Sequence, residues 1–334
     1  MSKQIKDVDY LAISARVRAM ENGLLTAEQY DQLLAAKSDE EVAKLLQSFG
    51  YPQLDPSHPD DMDAALSEDR SAMLEDLGSS IPDPGYLDVF KIKYDYHNIK
   101  AILKAEAMET SASGILTDLG RVKAEELAGA LREGELSGLP GLLEEAVAEG
   151  REVLSATRDP QLGDAALDKW YFRDLLKTAE DTGSDFLLGF VRRQLDCANL
   201  RTLVRTLRMG KTADFLRGVL FEGGEVGTDE LLRVSANAGG GLLELYAPTD
   251  LADAAEAGSA ALSGGSLTEF EKRCDDAVNA YLDAARLIPF GEAPVLSYLA
   301  MRETEYMNLR IVLLGHSAGI PADVIRSRLR AGCV

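Results

Sequence analysis

A chain of 334 residues can bury one large core or two to three smaller ones, and internal repeats would favour the second. Its formal charge of −21 argues against a nucleic-acid partner, because Lys and Arg are spread thinly apart from Arg192-Arg193 and the Arg326/Arg328/Arg330 end, and an acidic surface repels a polyanion. Cys197, Cys274 and Cys333 form no CxxC pair, which disfavours a zinc site or disulfide framework and makes reduced thiols the expectation.

The N-terminal MSKQIKDVDYLAIS lacks the apolar stretch of a signal peptide. No later run approaches the roughly 20 apolar residues that cross a bilayer, so work at a membrane would go through another protein. NGLLTAEQYDQLLAA from Asn22 then opens an amphipathic helix, with Thr26 suited to its N-cap and Glu28 to its dipole. SSIPDPG at 79–85 breaks the chain before the helical YDYHNIKAILKA at Tyr94 to Ala105. LGRVKAEELAGAL from Leu119 repeats the earlier helix start, with Glu126 in its first turn.

Long helix-compatible stretches follow at 164–180, 184–209, 267–287 and 293–314. Trp170, with Tyr171 and Phe172, reads as the start of a helix and an aromatic core contact, with an anchor for a partner as the alternative. GGEVGTDELLRV from Gly223 is a third helix start, with Thr228 as cap and Asp229 and Glu230 behind it; AGIPADVIRSRLR from Ala318 is a fourth, with Pro321 and Asp323. Between them NAGGG at 237–241 reads as a loop, and IPFGEAP at 288–294 as a break. No segment alternates convincingly with period two, so the expectation is an all-α protein.

One pattern recurs. LDCANLRTLVRT at Leu195 and TEYMNLRIVLLG at Thr304 restate YDYHNIKAILKA, each as acid-x-x-Asn-(Ile/Leu)-(Lys/Arg). The acids are Asp95, Asp196 and Glu305, the amides Asn98, Asn199 and Asn308, and the bases Lys100, Arg201 and Arg310. The asparagines lie 101 and 109 residues apart, a period that means repeated domains rather than a short-repeat solenoid. The chain is therefore expected to form three pseudo-equivalent helical domains at 1–116, 117–216 and 217–334.

With each Asn set at zero on a helical wheel, the acid falls at about 60°, the apolar residues at about 40°, 100° and 140°, and the base at about 200°. The acid thus points into the apolar stripe and the base away from it. An inward carboxylate needs backbone amides, a helix N-terminus or a basic neighbour; Arg16 and Arg18 are candidates. A shared proton or metal site is the functional alternative, but the acids sit one per repeat and only His58, His97 and His316 are available to help.

Catalytic chemistry is not legible. RMGKT at Arg208 to Thr212 carries the Gly-Lys-Thr of a phosphate loop, but Arg205 stands where the first glycine of that motif belongs. A helix C-terminus at Gly210 is the better reading. No GxSxG, HExxH, EF-hand or dinucleotide fingerprint is present, so no catalytic, cofactor or metal residue is expected and an interaction protein is favoured.

ARVRAMENGLLTAEQYDQLLAAKSDEEVAKLLQSFGY at 15–51, DYHNIKAILKA at 95–105, DCANLRTLVRTLRMGK at 196–211 and YLAMRETEYMNLRIVLLGHSAGIPADVIRSRLR at 298–330 together resemble the C subunit of V-type (A-type) ATPases, equivalent to the d subunit of the eukaryotic V-ATPase. The resemblance implies three helical domains arranged as a funnel around a pseudo-threefold axis. It further implies a non-catalytic central-stalk component, without bound nucleotide or cofactor, peripheral on the cytoplasmic side of the membrane. Its implied partners are the D and F subunits of the central shaft and the proteolipid rotor ring, so that ATP turnover is linked to H⁺ or Na⁺ transport. A helical-repeat scaffold unrelated to a rotary ATPase is the alternative.

Overall fold

The computed structural model describes residues 6–52, 59–236 and 238–330. His58, Asn237 and Cys333 lie outside the described residues. Among those described there are helices and turns and no strand: the protein is all-α.

In chain order the α-helices are α1 (Leu11–Met20), α2 (Ala27–Ala35), α3 (Asp39–Ser48), α4 (Pro59–Gly78), α5 (Gly85–Ala107), α6 (Ala124–Glu133), α7 (Leu143–Thr157) and α8 (Pro160–Thr182). There follow α9 (Asp185–Arg208), α10 (Ala213–Val219), α11 (Thr228–Ser235), α12 (Ala238–Tyr246), α13 (Ala252–Leu262), α14 (Leu267–Asp283), α15 (Glu292–Ser317) and α16 (Ala322–Arg328). Thr26 caps α2 with a reciprocal bond to Gln29. Thr228 is instead the first helical residue of α11, the cap position being Gly227; its hydroxyl donates to Glu222. Trp170 sits in the middle of α8 rather than at its start, and its indole N–H donates to Glu149 at 2.7 Å. The expected loop at 237–241 is helix α12 from Ala238 on; three glycines lower helix propensity, but the apolar turn that follows, ending in the buried Leu242 and Tyr246, anchors it.

Two compact units result. One joins Met1–Asp83 to Asn237–Val334, the other is Pro84–Ala236. In the second, α5 packs along α8 and α7, and α9 packs on α8, α10 and α11. The core there is Ile99, Leu103, Leu131, Val147, Leu175, Val191, Leu200 and Val204. In the first unit α15 packs on α1, α2, α3, α4, α14 and α16. The two halves of α15 bury different surroundings, Val295 to Met301 at one end and Leu309, Val312 and Leu313 at the other.

Candidate functional site

The three repeated asparagines are buried on α5, α9 and α15, and each does the same thing. Asn98 Nδ2 donates to the Thr117 carbonyl at 2.8 Å, and its Oδ1 accepts from the Thr117 amide at 3.0 Å. Asn199 holds both backbone groups of Phe221 at 2.8 and 2.9 Å, and Asn308 both of Arg330 at 3.1 and 2.8 Å. A primary amide is the group with a donor and an acceptor spaced to pair with the backbone N–H and C=O of one residue. Each of α5, α9 and α15 thereby grips a segment of chain that comes after it.

The acids grip the next turn. Asp95 Oδ1 accepts from the amides of Arg121 and Val122 at 2.9 and 3.3 Å. Asp196 accepts from the amides of Glu225 and Val226 at 3.0 and 3.2 Å. Glu305 Oε2 accepts from the Leu25 amide at 2.5 Å. Leu25, Val122 and Val226 stand at the same place in the three helix starts, two positions after Gly23, Gly120 and Gly224. In the third repeat, then, the Asn holds the end of the chain while the acid holds its beginning. That circular closure explains why the first and last stretches share a compact unit. The fourth helix start, from Ala318, meets no such acid: α16 instead lays Ile325 against Gly315.

Charge compensation differs from repeat to repeat. Arg121 Nε donates to Asp95 Oδ2 at 2.6 Å, and its Nη2 donates to Asp174 Oδ2 on α8 at 2.7 Å. Tyr96 Oη also donates to Asp174, at 3.4 Å. In the third repeat Arg302, one turn before Glu305 on α15, donates to Glu305 Oε1, to Asp69 Oδ2 at 2.7 Å and to the Tyr306 hydroxyl at 2.9 Å. Tyr306 donates to Asp69 at 2.5 Å, and Tyr51 donates to Glu305 Oε1. The two clusters share one plan: repeat acid, arginine, a second carboxylate from a neighbouring helix, and the tyrosine that follows the acid. Arg16 and Arg18 take no part in either. Arg16 pairs with Asp76 and Ser80, and Arg18 with Glu21 and three carbonyls at 285–288.

The second repeat lacks this plan. Cys197 stands where Tyr96 and Tyr306 stand, and Arg193, at the place of Arg302, lies 3.6 Å from Glu225. Burial pushes the Asp196 carboxyl up to about 6, against the opposing pull of the Val226 and Glu225 amides. Burial also raises Asp95, where Arg121 and two amides pull the other way. A carboxyl with a folded value near 6 and an unfolded value near 3.8 binds its proton more tightly when folded. Its contribution to stability is full below the lower value and is lost as pH rises through the upper one. The melting temperature is therefore expected to rise between pH 7.5 and 5.5, and Asp196→Asn, measured by calorimetry over the same range, to flatten that rise. An unchanged slope in the variant would refute the assignment.

The repeated bases differ in their surroundings. Lys100 meets Asp168 of α8 at 2.5 Å, Arg201 is half-buried, and Arg310 is exposed. His97 Nε2 is 2.8 Å from the Ile115 carbonyl, and His316 Nε2 is 3.0 Å from that of Leu33. Among the described residues no cluster of three or more His, Cys, Asp or Glu could hold a metal, and no helix is long and apolar enough to cross a membrane. The Gly-Lys-Thr segment is a turn between α9 and α10. The amides of Gly210 and Lys211 return to the carbonyls of Leu207 and Thr206 at 3.0 and 3.1 Å, and Thr212 Oγ1 accepts from the Phe215 amide. Those amides are spent within the turn. The carboxylates on α5, α9 and α15 are likewise occupied by donors, so the arrangement fixes helices to turns.

The sequence pattern does not reveal the partners of the acids. Asp69, Asp174 and Arg121 belong to no repeated motif; Arg302 recurs only as Arg193, three residues before the acid, and Tyr after the acid recurs only at Tyr96 and Tyr306.

Residues 13–328 match the family of the ATP synthase (C/AC39) subunit. The chain is 23% identical over 324 residues to the C subunit of the V-type sodium ATPase of Enterococcus hirae, covering 97% of this chain and 98% of that protein. It is 27% identical over 360 residues to the C subunit of the A-type ATP synthase of Methanocaldococcus jannaschii, covering 98% and 88%. With the corresponding A-type ATP synthase protein of Haloquadratum walsbyi it shares 25% identity over 340 residues, covering 94% and 96%.

Proposed function

The chain belongs to the ATP synthase (C/AC39) subunit family, and from that premise we propose that it is the non-catalytic central-stalk adaptor of a V-type or A-type ATPase. It joins the D/F shaft to the proteolipid ring on the cytoplasmic side of the membrane, so that ATP turnover in the head and ion movement through the ring are linked. The observation that carries this reading is the match along nearly the whole chain, at near full length, to the C subunits of such enzymes.

The clamps suit the task. Torque passes through a protein without loss only if its helices cannot slide, and three buried pairs of acid and amide bind the long helices to the turns beside them. We take Asp95, Asn98, Asp196, Asn199, Glu305 and Asn308 as structural residues of the repeat, together with Lys100, Arg201 and Arg310. The three pseudo-equivalent domains expected at 1–116, 117–216 and 217–334 would then surround a common axis as a funnel. Tagged protein expressed in its own cell and recovered from gently solubilised membranes is expected to bring down the catalytic A and B subunits together with D and F. Recovery of the tagged chain without them would overturn the proposal.

A further inference from the structure

The three helices that carry the repeated motif are each entered through a short link, and the links are not alike. SSIPDP at 79–84 leads into α5, Gly183 and Ser184 lead into α9, and AARLIPFG at 284–291 leads into α15. The first and last share an Ile-Pro step. Around that step Ser80 and Asp83 stand where the last link has Leu287 and Phe290, and Ile81 is buried where Ile288 is exposed. One copy thus makes the turn with polar flanks and another does without the step altogether. The apolar flanks of the third answer to something other than folding.

Leu287 is 89% exposed, the highest value of any large apolar residue described, and Ile288, Pro289 and Phe290 after it are exposed as well. Four consecutive apolar residues open to solvent are at odds with ordinary surface and are kept where function needs them. The link is also held in place. Arg18 Nη2 donates to the carbonyls of Ala285, Arg286 and Ile288 at 3.0, 3.1 and 2.9 Å, and Ser14 Oγ donates to that of Gly291 at 3.2 Å. One turn before Ser14 on the same stripe of α1 stands Leu11, 51% exposed, and three residues earlier Val8, 55% exposed.

We propose that the tip of this link, Leu287 to Phe290, with Leu11 and Val8 beside it, docks against an apolar, uncharged face of another protein of the ATPase. The proposal rests on the adaptor reading. The chemistry of the partner follows from the charges near the tip, which are already spent within the chain: Arg286 Nε lies 2.9 Å from Asp283 Oδ1, and Arg18 Nη1 lies 2.7 Å from Glu21 Oε1. A charged partner surface would lose its hydration here and find no counter-ion, so the complement of this patch is apolar. A lipid surface is the poorer occupant, because anionic headgroups repel a chain of net charge −21 and the arginines at the patch are not free to offset that. A second copy of the chain would bring the same charge against itself. Because the link is pinned to α1 before contact, little ordering remains to be done on binding.

The test uses membranes that carry the ATPase but have been washed free of this protein, with purified full-length chain added back and sedimented. Wild-type protein is expected to rebind. A variant combining Leu11→Gln and Leu287→Gln, which alters no charge, is expected to bind at least roughly tenfold more weakly while melting at the wild-type temperature. Leu287→Gln alone, at a side chain the fold hardly covers, is expected to show part of that loss. Equal rebinding of both variants would overturn the inference and leave the adaptor reading intact. Equal binding of wild-type protein to protein-free vesicles of the extracted lipids would overturn it in favour of a lipid surface. A wild-type dimer in equilibrium sedimentation that the double variant fails to form would overturn it in favour of a second copy. No rebinding of wild-type protein would overturn the adaptor reading, and this inference with it.

Discussion

Replacing Arg121 by methionine is expected to lower the unfolding free energy by about 3–5 kcal/mol, the usual result of stripping one partner from a buried ionic network. The side chains of Asp95 and Asp174 are both 0% exposed and that of Arg121 only 6%, so water cannot take over. Asp95 would keep the amides of residues 121 and 122. Asp174 would be left with two long contacts, Tyr96 Oη and Thr178 Oγ1, both at 3.4 Å. The larger part of the loss thus belongs to Asp174. Urea denaturation at pH 7 measures it, and a second change, Asp174→Asn, is expected to restore part of the stability because a neutral amide no longer needs the guanidinium. A double variant as unstable as Arg121→Met alone would show that the loss comes from packing and not from charge. The deficit is also expected to narrow as pH falls from 7 toward 5. Burial already raises the Asp95 carboxyl against the pull of Arg121; without that guanidinium the folded state binds the Asp95 proton more tightly still than the unfolded chain does, so acid favours folding.

This network shows how far the sequence could be read. Helical geometry alone placed Asp95, Asp196 and Glu305 inward and required donors for them, and the donors are there. Which donors was beyond reach for a physical reason. In the first repeat the arginine comes from the clamped turn; in the third it comes from the helix itself, three residues before the acid; in the second the turn position is Glu225 and the helix position Arg193, which face each other. Compensation of a buried charge is a property of the three-dimensional neighbourhood, so each copy could solve it with a different residue and leave no common motif. The asparagine had no such freedom. Pairing with both backbone groups of one residue demands a primary amide on the helix and nothing particular from the segment it holds, which is why Asn98, Asn199 and Asn308 carried the repeat while Thr117, Phe221 and Arg330 did not.

Glycine at the clamped turns provides the second large effect, and one that separates copies the sequence makes look alike. Gly23, Gly120 and Gly224 hold the same position, and none has a positive φ, so backbone strain demands glycine at none of them. A Cβ on Gly120 would run into Asp95 Oδ1 and lie 3.2 Å from its Cγ; one on Gly224 would run into Asp196 Oδ1 and lie 3.0 Å from its Cγ. A Cβ on Gly23 meets nothing within 4 Å. The difference traces to the acid. Aspartate is short, so the turn must come down onto the carboxylate, whereas Glu305 is one methylene longer and reaches the Leu25 amide from farther off. Gly120→Ala and Gly224→Ala are therefore each expected to cost about 2–3 kcal/mol, from overpacking and from weakened bonds to the amides. Gly23→Ala is expected to stay within about 0.5 kcal/mol of wild type, since alanine also loses less chain entropy on folding. Urea midpoints of the three variants measured side by side decide the matter. A comparable loss for Gly23→Ala would mean that the glycines serve the turn itself, and that the length of the acid does not set how closely each turn is held.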